Sequence, residues 1–241
     1  LYTDCGIFTC DERFGEDATA VFNMLSGYSE PANWNQLIVA PIWMKKRFLE
    51  MIHRETKNAK EGKPAKIIAK CNSLCDRKII LALYEASCAG VQVDLIVRGI
   101  CCLVAGKPGV SENIRVRSIV GTFLEHARIF YFYNDGHEEI YMGSADWMPR
   151  NLDRRVEIVF PVEEEELKEK AKHILDVQLS DTLKAHRLLE DGTYQKVDRR
   201  GKEAIEAQKT FCEEAIAAAN ESKKKVPKKR TFDPRFSPQE E

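Results

Sequence analysis

Short apolar segments alternate with longer amphipathic ones through the first half of this chain. Apolar runs at 37–40, 66–71 and 93–97 are separated by the stretches 43–59 and 77–89, in which apolar residues recur at helical spacing. A helix between two strands carries the chain back to the edge from which the first strand started, so this order predicts parallel neighbouring strands. The first half of the chain therefore predicts an α/β fold.

The second half departs from this alternation. Several apolar segments follow one another closely, and Asn134-Asp135-Gly136 between two of them is typical of a hairpin turn. Strands joined by such a turn are antiparallel, so we predict a mixed, largely parallel sheet flanked by helices. The strands are predicted at 115–119, 128–133, 139–143 and 155–160, and further helices at 163–179 and 202–220.

Composition divides the chain into four parts. Residues 1–30, with a β-rich start and one short helix, are predicted to be the end of a preceding domain, and residues 31–190 form the α/β domain. Residues 191–222 are predicted as a C-terminal helical part. Residues 223–241 contain Pro and Lys with few apolar side chains, which predicts a disordered basic tail.

The composition also limits the class of protein. An apolar content of 44% in 241 residues is enough for a hydrophobic core. No run of eighteen or more uncharged apolar residues occurs and the start does not resemble a signal peptide, so we expect a soluble, cytoplasmic protein with no membrane span. The eight cysteines do not form paired CxxC motifs, which predicts reduced thiols and no structural metal site.

Polar side chains follow the ends of several predicted strands. In open α/β sheets, ligands bind outside the carboxyl ends of the strands. Lys70 and Asn72 end one strand, Arg98 ends the next, and Ser144 and Asp146 end a third. An unpaired guanidinium is costly to bury and a phosphate accepts two hydrogen bonds from it, so Arg98 is a candidate phosphate ligand. A salt bridge to a neighbouring acid is the alternative.

One histidine has companions that suggest chemistry. His126-Ala127-Arg128 precedes one strand of the hairpin, and Gly143-Ser144-Ala145-Asp146 ends the other. An imidazole can attack phosphorus or protonate a leaving oxygen, while a guanidinium and a hydroxyl hold phosphate oxygens. The spacing resembles the phospholipase D superfamily, with Arg128 in place of its usual Lys and Asp146 in place of its usual Asn. These departures favour a specialised branch over a general phosphodiesterase.

Further arginines are concentrated around this pattern, and converging positive charge predicts a channel for a polyanion. The candidates are Arg115, Arg117, Arg150, Arg154 and Arg155. The first two occupy alternate positions of one predicted strand and therefore face the same side. Salt bridges to Glu125 or Glu157 are the alternative for those two, and a solvated charge run is the alternative for the other three.

Four segments, 96–103, 111–120, 124–129 and 143–155, closely resemble the polyphosphate kinase family. The likeness also includes the first four residues, Phe22-Asn23 and residues 69–74, so it covers nearly everything except the basic tail. The resemblance identifies the chain as the C-terminal part of such an enzyme, with a phospholipase D-like fold. It implies that residues 1–30 are the end of a preceding catalytic domain and that residues 31–190 are the C-terminal catalytic domain.

This resemblance implies reversible transfer of the terminal phosphate of ATP to inorganic polyphosphate through a phosphohistidine upstream of this chain. His126 is then the second, catalytic histidine, and Tyr2, Arg98 and His126 contact ATP. The residues assigned to polyphosphate are Lys70, Asn72, Arg115, Arg117, Arg128, Ser144, Asp146, Arg150, Arg154 and Arg155. The isolated chain is expected to be inactive because it lacks the first histidine.

The resemblance also implies partners. ATP or ADP and polyphosphate are the substrates, magnesium is required at a site expected upstream of this chain, and the full-length enzyme is expected to be a homo-oligomer without a nucleic-acid partner. Two other functions remain open from the residues alone. One is a phospholipase D-type phosphodiesterase or nuclease, and the other is a non-catalytic polyanion-binding module whose binding is salt-sensitive.

Overall fold

The structure is a computed structural model that describes residues 2–29, 31 and 33–225. Its strands are β1 (Tyr2–Thr3), β2 (Ile38–Ala40), β3 (Lys66–Cys71), β4 (Gln92–Val97), β5 (Ile114–Ile119), β6 (Leu124–Glu125), β7 (Arg128–Phe132), β8 (Glu139–Gly143), β9 (Glu157–Pro161), β10 (Ala185–Leu188) and β11 (Tyr194–Lys196). Its α-helices are α1 (Glu12–Leu25), α2 (Met44–Lys60), α3 (Arg77–Cys88), α4 (Pro149–Asp153), α5 (Glu165–Ser180) and α6 (Ala207–Lys225).

Nine strands form one sheet in the order β11-β10-β5-β4-β3-β7-β8-β9-β2, and β1 pairs separately with β6. Within the described part of this sheet, β3–β4 and β4–β5 are parallel, and the other ladders are antiparallel. The predicted mixed α/β sheet is confirmed, but the description "largely parallel" is only partly right. A short turn joins β7 to β8, which forces an antiparallel pair, and β7 also runs antiparallel to β3.

Side chains of β7 show how the sheet separates two cores. Phe130 and Phe132 belong to the cluster that contains α2 and α3, whereas Ile129 and Tyr131 belong to the cluster that contains α5. Successive side chains of a strand point to opposite faces, so a strand covered by helices on both sides is apolar at every position. Full burial of one such side chain contributes about 1.5–3 kcal/mol.

Local sequence explains where the helices beside the site begin. The carboxylate of Asp76 accepts hydrogen bonds from the backbone N–H groups of Lys78 and Ile79 at 3.0 and 3.1 Å, which caps α3 immediately after the end of β3. The carboxylate of Asp181 accepts a 2.8 Å hydrogen bond from the N–H of Ala207 at the start of α6. These caps fix both helices against the sheet.

The carboxyl half of the chain contains elements that the sequence pattern did not predict. The strands β10 and β11 form an antiparallel hairpin, and β10 pairs with β5 at the edge of the main sheet. The predicted domain boundary at residue 190 therefore falls inside this hairpin. The helix predicted at 202–220 begins later, at Ala207, and ends at Lys225. Residues 226–241, most of the predicted basic tail, lie outside the described residues.

Across the described residues, the helices are too short or too polar to cross a membrane.

Candidate phosphate-binding site

A buried ion pair fixes the end of the central hairpin. Arg128 donates from Nε and Nη2 to the two carboxylate oxygens of Asp146, at 3.1 and 3.2 Å, and both side chains are 9% exposed. The backbone N–H of Asn72 donates to the same carboxylate at 2.7 Å. The Arg128–Asp146 pair therefore joins the ends of β3, β7 and β8. Because both partners satisfy each other, this arrangement favours a positioning role over direct contact with polyphosphate.

His126 lies at the surface between β6 and β7, with 40% of its side chain exposed. Its Nδ1 is 2.8 Å from Oδ2 of Asp4, and the ring of Tyr2 contacts it edge-on with centroids 5.7 Å apart. Arg128 donates from Nη1 to the carbonyl oxygen of His126 at 2.8 Å. The same Nη1 is 3.0 Å from both ring nitrogens, so it lies over the ring face and not on either lone pair. The ring is therefore held on two sides and open on another.

Asp4 determines which ring nitrogen faces outward. Partial burial opposes ionisation of its carboxyl group, but the hydrogen bonds with His126 and with the N–H of Cys5 outweigh this effect and lower the pKa of Asp4. An ionised carboxylate has no proton to donate, so Nδ1 of His126 carries the shared hydrogen. Nε2 is then the nitrogen available to a ligand.

A network of buried polar groups supports the segment before His126. Glu125 accepts a 2.8 Å hydrogen bond from the amide of Gln178 and a 3.2 Å hydrogen bond from the amide of Gln208. Gln208 also exchanges two hydrogen bonds with the backbone of Phe123, at 3.0 and 2.9 Å. The helices α5 and α6 therefore hold β6 and the histidine that follows it.

Lys70 lies beneath this network and not at the surface. It is 3% exposed, donates from Nζ to the carbonyl oxygen of Ala127 at 2.7 Å, and lies 3.7 Å from the carboxylate of Glu125. Burial lowers the pKa of Lys70, and the nearby carboxylate partly offsets this effect. In this arrangement Lys70 supports the backbone next to His126.

Arg98 carries a donor without a partner. Its Nη1 is buried and, among the described residues, makes no hydrogen bond; the same is true of Oε1 of Gln178 and Nδ2 of Asn72. Arg98, Gln178, Lys70 and Glu125 line one cavity of about 10 Å³, room for about one water molecule. Because an unmet buried donor is costly, Arg98 is suited to a ligand or a water that accepts its hydrogen bond.

The end of β8 is closely packed against β9. A Cβ atom at Gly143 would lie 2.3 Å from the carbonyl oxygen of Ile158, so only glycine fits there. The hydroxyl of Ser144 donates to the carboxylate of Glu157, which also accepts a hydrogen bond from the amide of Asn151. Ser144 is therefore engaged by the protein in this structure.

The remaining candidate arginines fall into two groups. Arg115 donates from Nε and Nη2 to the carboxylate of Asp94 at 2.7 and 3.0 Å, a structural pair on neighbouring strands, and Arg117 donates from Nη1 to the carbonyl oxygen of Gln178 at 3.3 Å. The other group is exposed and, as far as the structure describes the chain, makes no side-chain hydrogen bond or ion pair. It comprises Arg150, Arg154 and Arg155, in and just after α4.

The implied magnesium ion does not fit this part of the protein. Residues 2–29, 31 and 33–225 contain no group of three or more His, Cys, Asp or Glu side chains that could hold a metal ion. Two carboxylates of the site already serve other groups: Asp4 holds the His126 ring, and Asp146 holds Arg128. No step proposed below uses a metal.

The sequence of this chain is similar to that of a known protein family. The sequence profile of the family described as "Polyphosphate kinase C-terminal domain 2" matches residues 37–208. The chain belongs to this family. The resemblance predicted from the four sequence segments is thereby confirmed.

Relatives are similar over most of the domain. A polyphosphate kinase of Synechocystis sp. is 52% identical over 222 residues, covering 92% of this chain and 30% of the relative. A polyphosphate kinase of Lactiplantibacillus plantarum is 46% identical over 244 residues, covering all of this chain and 34% of the relative. The crystal structure of polyphosphate kinase from Porphyromonas gingivalis superposes with a TM-score of 0.84 and 38% identity, covering 88% of this chain and 33% of that one. The chain spans about a third of the proteins it matches.

Sequence reasoning missed the residues that position the site. Asp4 and His126 are 122 residues apart in sequence, and Phe123 and Gln208 are 85 apart. Neither Asp4 nor Gln208 lies in a sequence motif from which its contact could be predicted. The only sequence signal was the inclusion of Asp4 in the stretch that resembles the family.

Proposed function

We propose that this chain is the C-terminal catalytic region of a polyphosphate kinase, which reversibly transfers the terminal phosphate of ATP to inorganic polyphosphate. The attacking histidine, which becomes phosphorylated, lies on a segment of the enzyme outside this chain. What supports the proposal is membership of the family together with one observation. The exposed ring of His126, held by Asp4 and Arg128, directly follows Glu125, which lines the same small cavity as Arg98.

In the proposed reaction, the terminal phosphorus of ATP is attacked in line by the other histidine while the bond to ADP breaks. The imidazolium form of His126 carries a hydrogen on both ring nitrogens: Nδ1–H bonds to Asp4, and Nε2–H donates a proton or a hydrogen bond to the leaving phosphate oxygen. The guanidinium of Arg98 neutralises charge on the nucleotide phosphates, and Tyr2 flanks the ring from the nucleotide side. The reverse reaction uses the same contacts.

Polyphosphate is proposed to approach along the exposed arginines around α4. Arg150, Arg154 and Arg155 present three guanidinium groups that have no partner within the described residues. A chain of phosphates releases counterions on binding such a surface, so its affinity should fall steeply with salt. Replacing all three with Gln should raise the KM for polyphosphate much more than it lowers kcat.

The test uses the full-length enzyme that contains this chain, with ATP formation from ADP and polyphosphate as the assay. His126→Ala and Arg98→Ala should each lower turnover by at least ~100-fold, the scale of a lost acid or charge contact in the transition state. Circular dichroism should show unchanged folding, since the His126 ring is exposed. His186→Ala is the matched control, because His186 lies exposed on β10 and its ring bonds, among the described residues, only to the carbonyl oxygen of Lys184.

Other outcomes would overturn the proposal in distinct ways. Unchanged turnover in His126→Ala would remove that residue from the reaction. Hydrolysis of a phosphodiester such as bis(p-nitrophenyl) phosphate would favour the phospholipase D-type alternative. Rapid ATP synthesis by the isolated chain would contradict the requirement for a histidine outside it.

A further inference from the structure

Two cysteines lie next to each other in the segments that follow β3 and β4. The N–H of Leu74 donates to the carbonyl oxygen of Ile100, and the N–H of Cys102 donates to the carbonyl oxygen of Leu74, both at 2.8 Å. This is the hydrogen-bond pattern of a parallel bridge that pairs Leu74 with Cys101. In that register, the residue after Leu74 is the neighbour of the residue after Cys101. These two residues are Cys75 and Cys102.

Burial shows that the two thiols share the outer face of this bridge. Leu74 is fully buried and Cys101 packs against the core, whereas Cys75 is half-buried and Cys102 is exposed. Adjacent extended strands lie about 4.8 Å apart, which is inside the roughly 4.4–6.8 Å between Cα atoms that a disulfide spans. The thiol of Cys102 is close enough to that of Cys75 to add to the rise in the pKa of Cys75 that burial causes. No large backbone movement is therefore needed to join them.

We propose that Cys75 and Cys102 form a redox-modification site, at which a peroxide converts the two thiols into an intramolecular disulfide. The inference does not depend on the proposed kinase activity. It concerns a pair of side chains that lie outside the proposed catalytic and substrate contacts.

The chemistry balances with hydrogen peroxide as the oxidant. The thiolate of Cys102, the more exposed residue, attacks one peroxide oxygen, the O–O bond breaks, and hydroxide leaves, so that Cys102 becomes a sulfenic acid. The sulfur of Cys75 then attacks the sulfur of Cys102 and displaces hydroxide, and the protons of the two thiols convert both hydroxides into water. Two thiols lose two electrons and two protons, and one peroxide becomes two waters.

The order of these steps follows from the surroundings of the two sulfurs. Burial, and the neighbouring Cys102, raise the pKa of Cys75, so its thiol keeps its proton to higher pH. Cys75 is therefore assigned to the second step, the attack on the sulfenic acid. Once formed, the bond would join the segment after β3 to the segment after β4. These segments already bond through the N–H of Gly99 and the carbonyl oxygen of Asn72, at 2.9 Å. The disulfide would therefore brace the two segments that carry Asn72 and Arg98.

The experiment exposes the full-length protein to hydrogen peroxide, blocks free thiols with N-ethylmaleimide, digests with trypsin without reductant and identifies linked peptides by mass spectrometry. We expect the peptide 71–77 joined to the peptide 99–115, and we expect dithiothreitol to separate them. Cys75→Ser and Cys102→Ser should each abolish this product, whereas Cys101→Ser, the matched neighbour on the opposite face, should retain it.

Serine differs from cysteine by one atom, and circular dichroism of each variant checks that folding is retained. Fragmentation of the linked peptides from the unsubstituted protein assigns the joined sulfurs independently of any variant. Absence of the linked peptides under conditions that oxidise the exposed Cys10 would overturn the proposal. A link that persists in Cys75→Ser would do so as well, because it would then involve Cys71.

Discussion

Replacing Asp146 by Ala should show how much the buried ion pair contributes to the fold. In the intact chain, the carboxylate of Asp146 accepts two hydrogen bonds from Arg128 and one from the backbone N–H of Asn72. The substitution leaves the guanidinium of Arg128 buried without a counter-charge. It also leaves the N–H of Asn72 without an acceptor in a site that water barely reaches.

The size of the effect follows from the burial of both partners. Each side chain is only 9% exposed, so solvent screens their interaction little. Removing one member of such a pair costs about 3–5 kcal/mol, mainly because a charge stays buried and unpaired. A slope of about 3 kcal/mol per M of urea then predicts that the unfolding midpoint falls by about 1–2 M.

The assay is urea unfolding of the chain, followed by the fluorescence of its three tryptophans. Arg128→Met combined with Asp146→Leu should recover most of the lost stability, because the double variant removes both charges of this pair. Arg200→Ala is the control, since Arg200 donates to both carboxylate oxygens of Asp198 in a pair that is largely exposed, and it should leave the midpoint unchanged. A decrease below about 1 kcal/mol in Asp146→Ala, the value of an exposed pair, would refute the reasoning.

Three further results are expected. Gln208→Ala should lower the free energy of unfolding by about 1–3 kcal/mol in urea titrations, because buried backbone groups lose their partner; a smaller loss would mean that water replaces the amide. Burial raises the pKa of Glu55 above its usual 4.5, so folded-state stability is lost as the pH rises through that raised value. The difference in free energy of unfolding between Glu55→Gln and the unsubstituted chain should therefore shift in favour of the variant as the pH rises above 4.5, and a difference that stays constant with pH would contradict this. Burial raises the pKa of Cys101 to about 11, so a thiol reagent at neutral pH should label the exposed Cys102 much faster than Cys101, as peptide mapping can measure.

Much of the fold could be predicted because its signals are local. The strands at 66–71 and 139–143 were predicted with the bounds that β3 and β8 have, since apolar runs ended by turn residues mark strands without knowledge of their neighbours. The hairpin β10–β11 was not predicted. Its strands contain charged and polar residues on an edge of the sheet, where half of the side chains face solvent and no apolar run is required.

The candidate site was also predicted only in part. The sequence by itself determined the family, the histidine and arginine types, and their positions at strand ends. Only the tertiary structure decided which charged side chains form ion pairs with other residues and which stay exposed. Arg128 pairs with Asp146 and Arg115 with Asp94, whereas Arg150 stays exposed on α4.

The physical reason is strand register. A shift of one residue turns every side chain of a strand to its other face, so partners on neighbouring strands are known only once the sheet is assembled. The contact between Asp4 and His126 depends on the pairing of β1 with β6, two strands separated by most of the domain. A sequence pattern identifies candidate phosphate-binding residues. Packing then determines which of them remain available to bind a ligand.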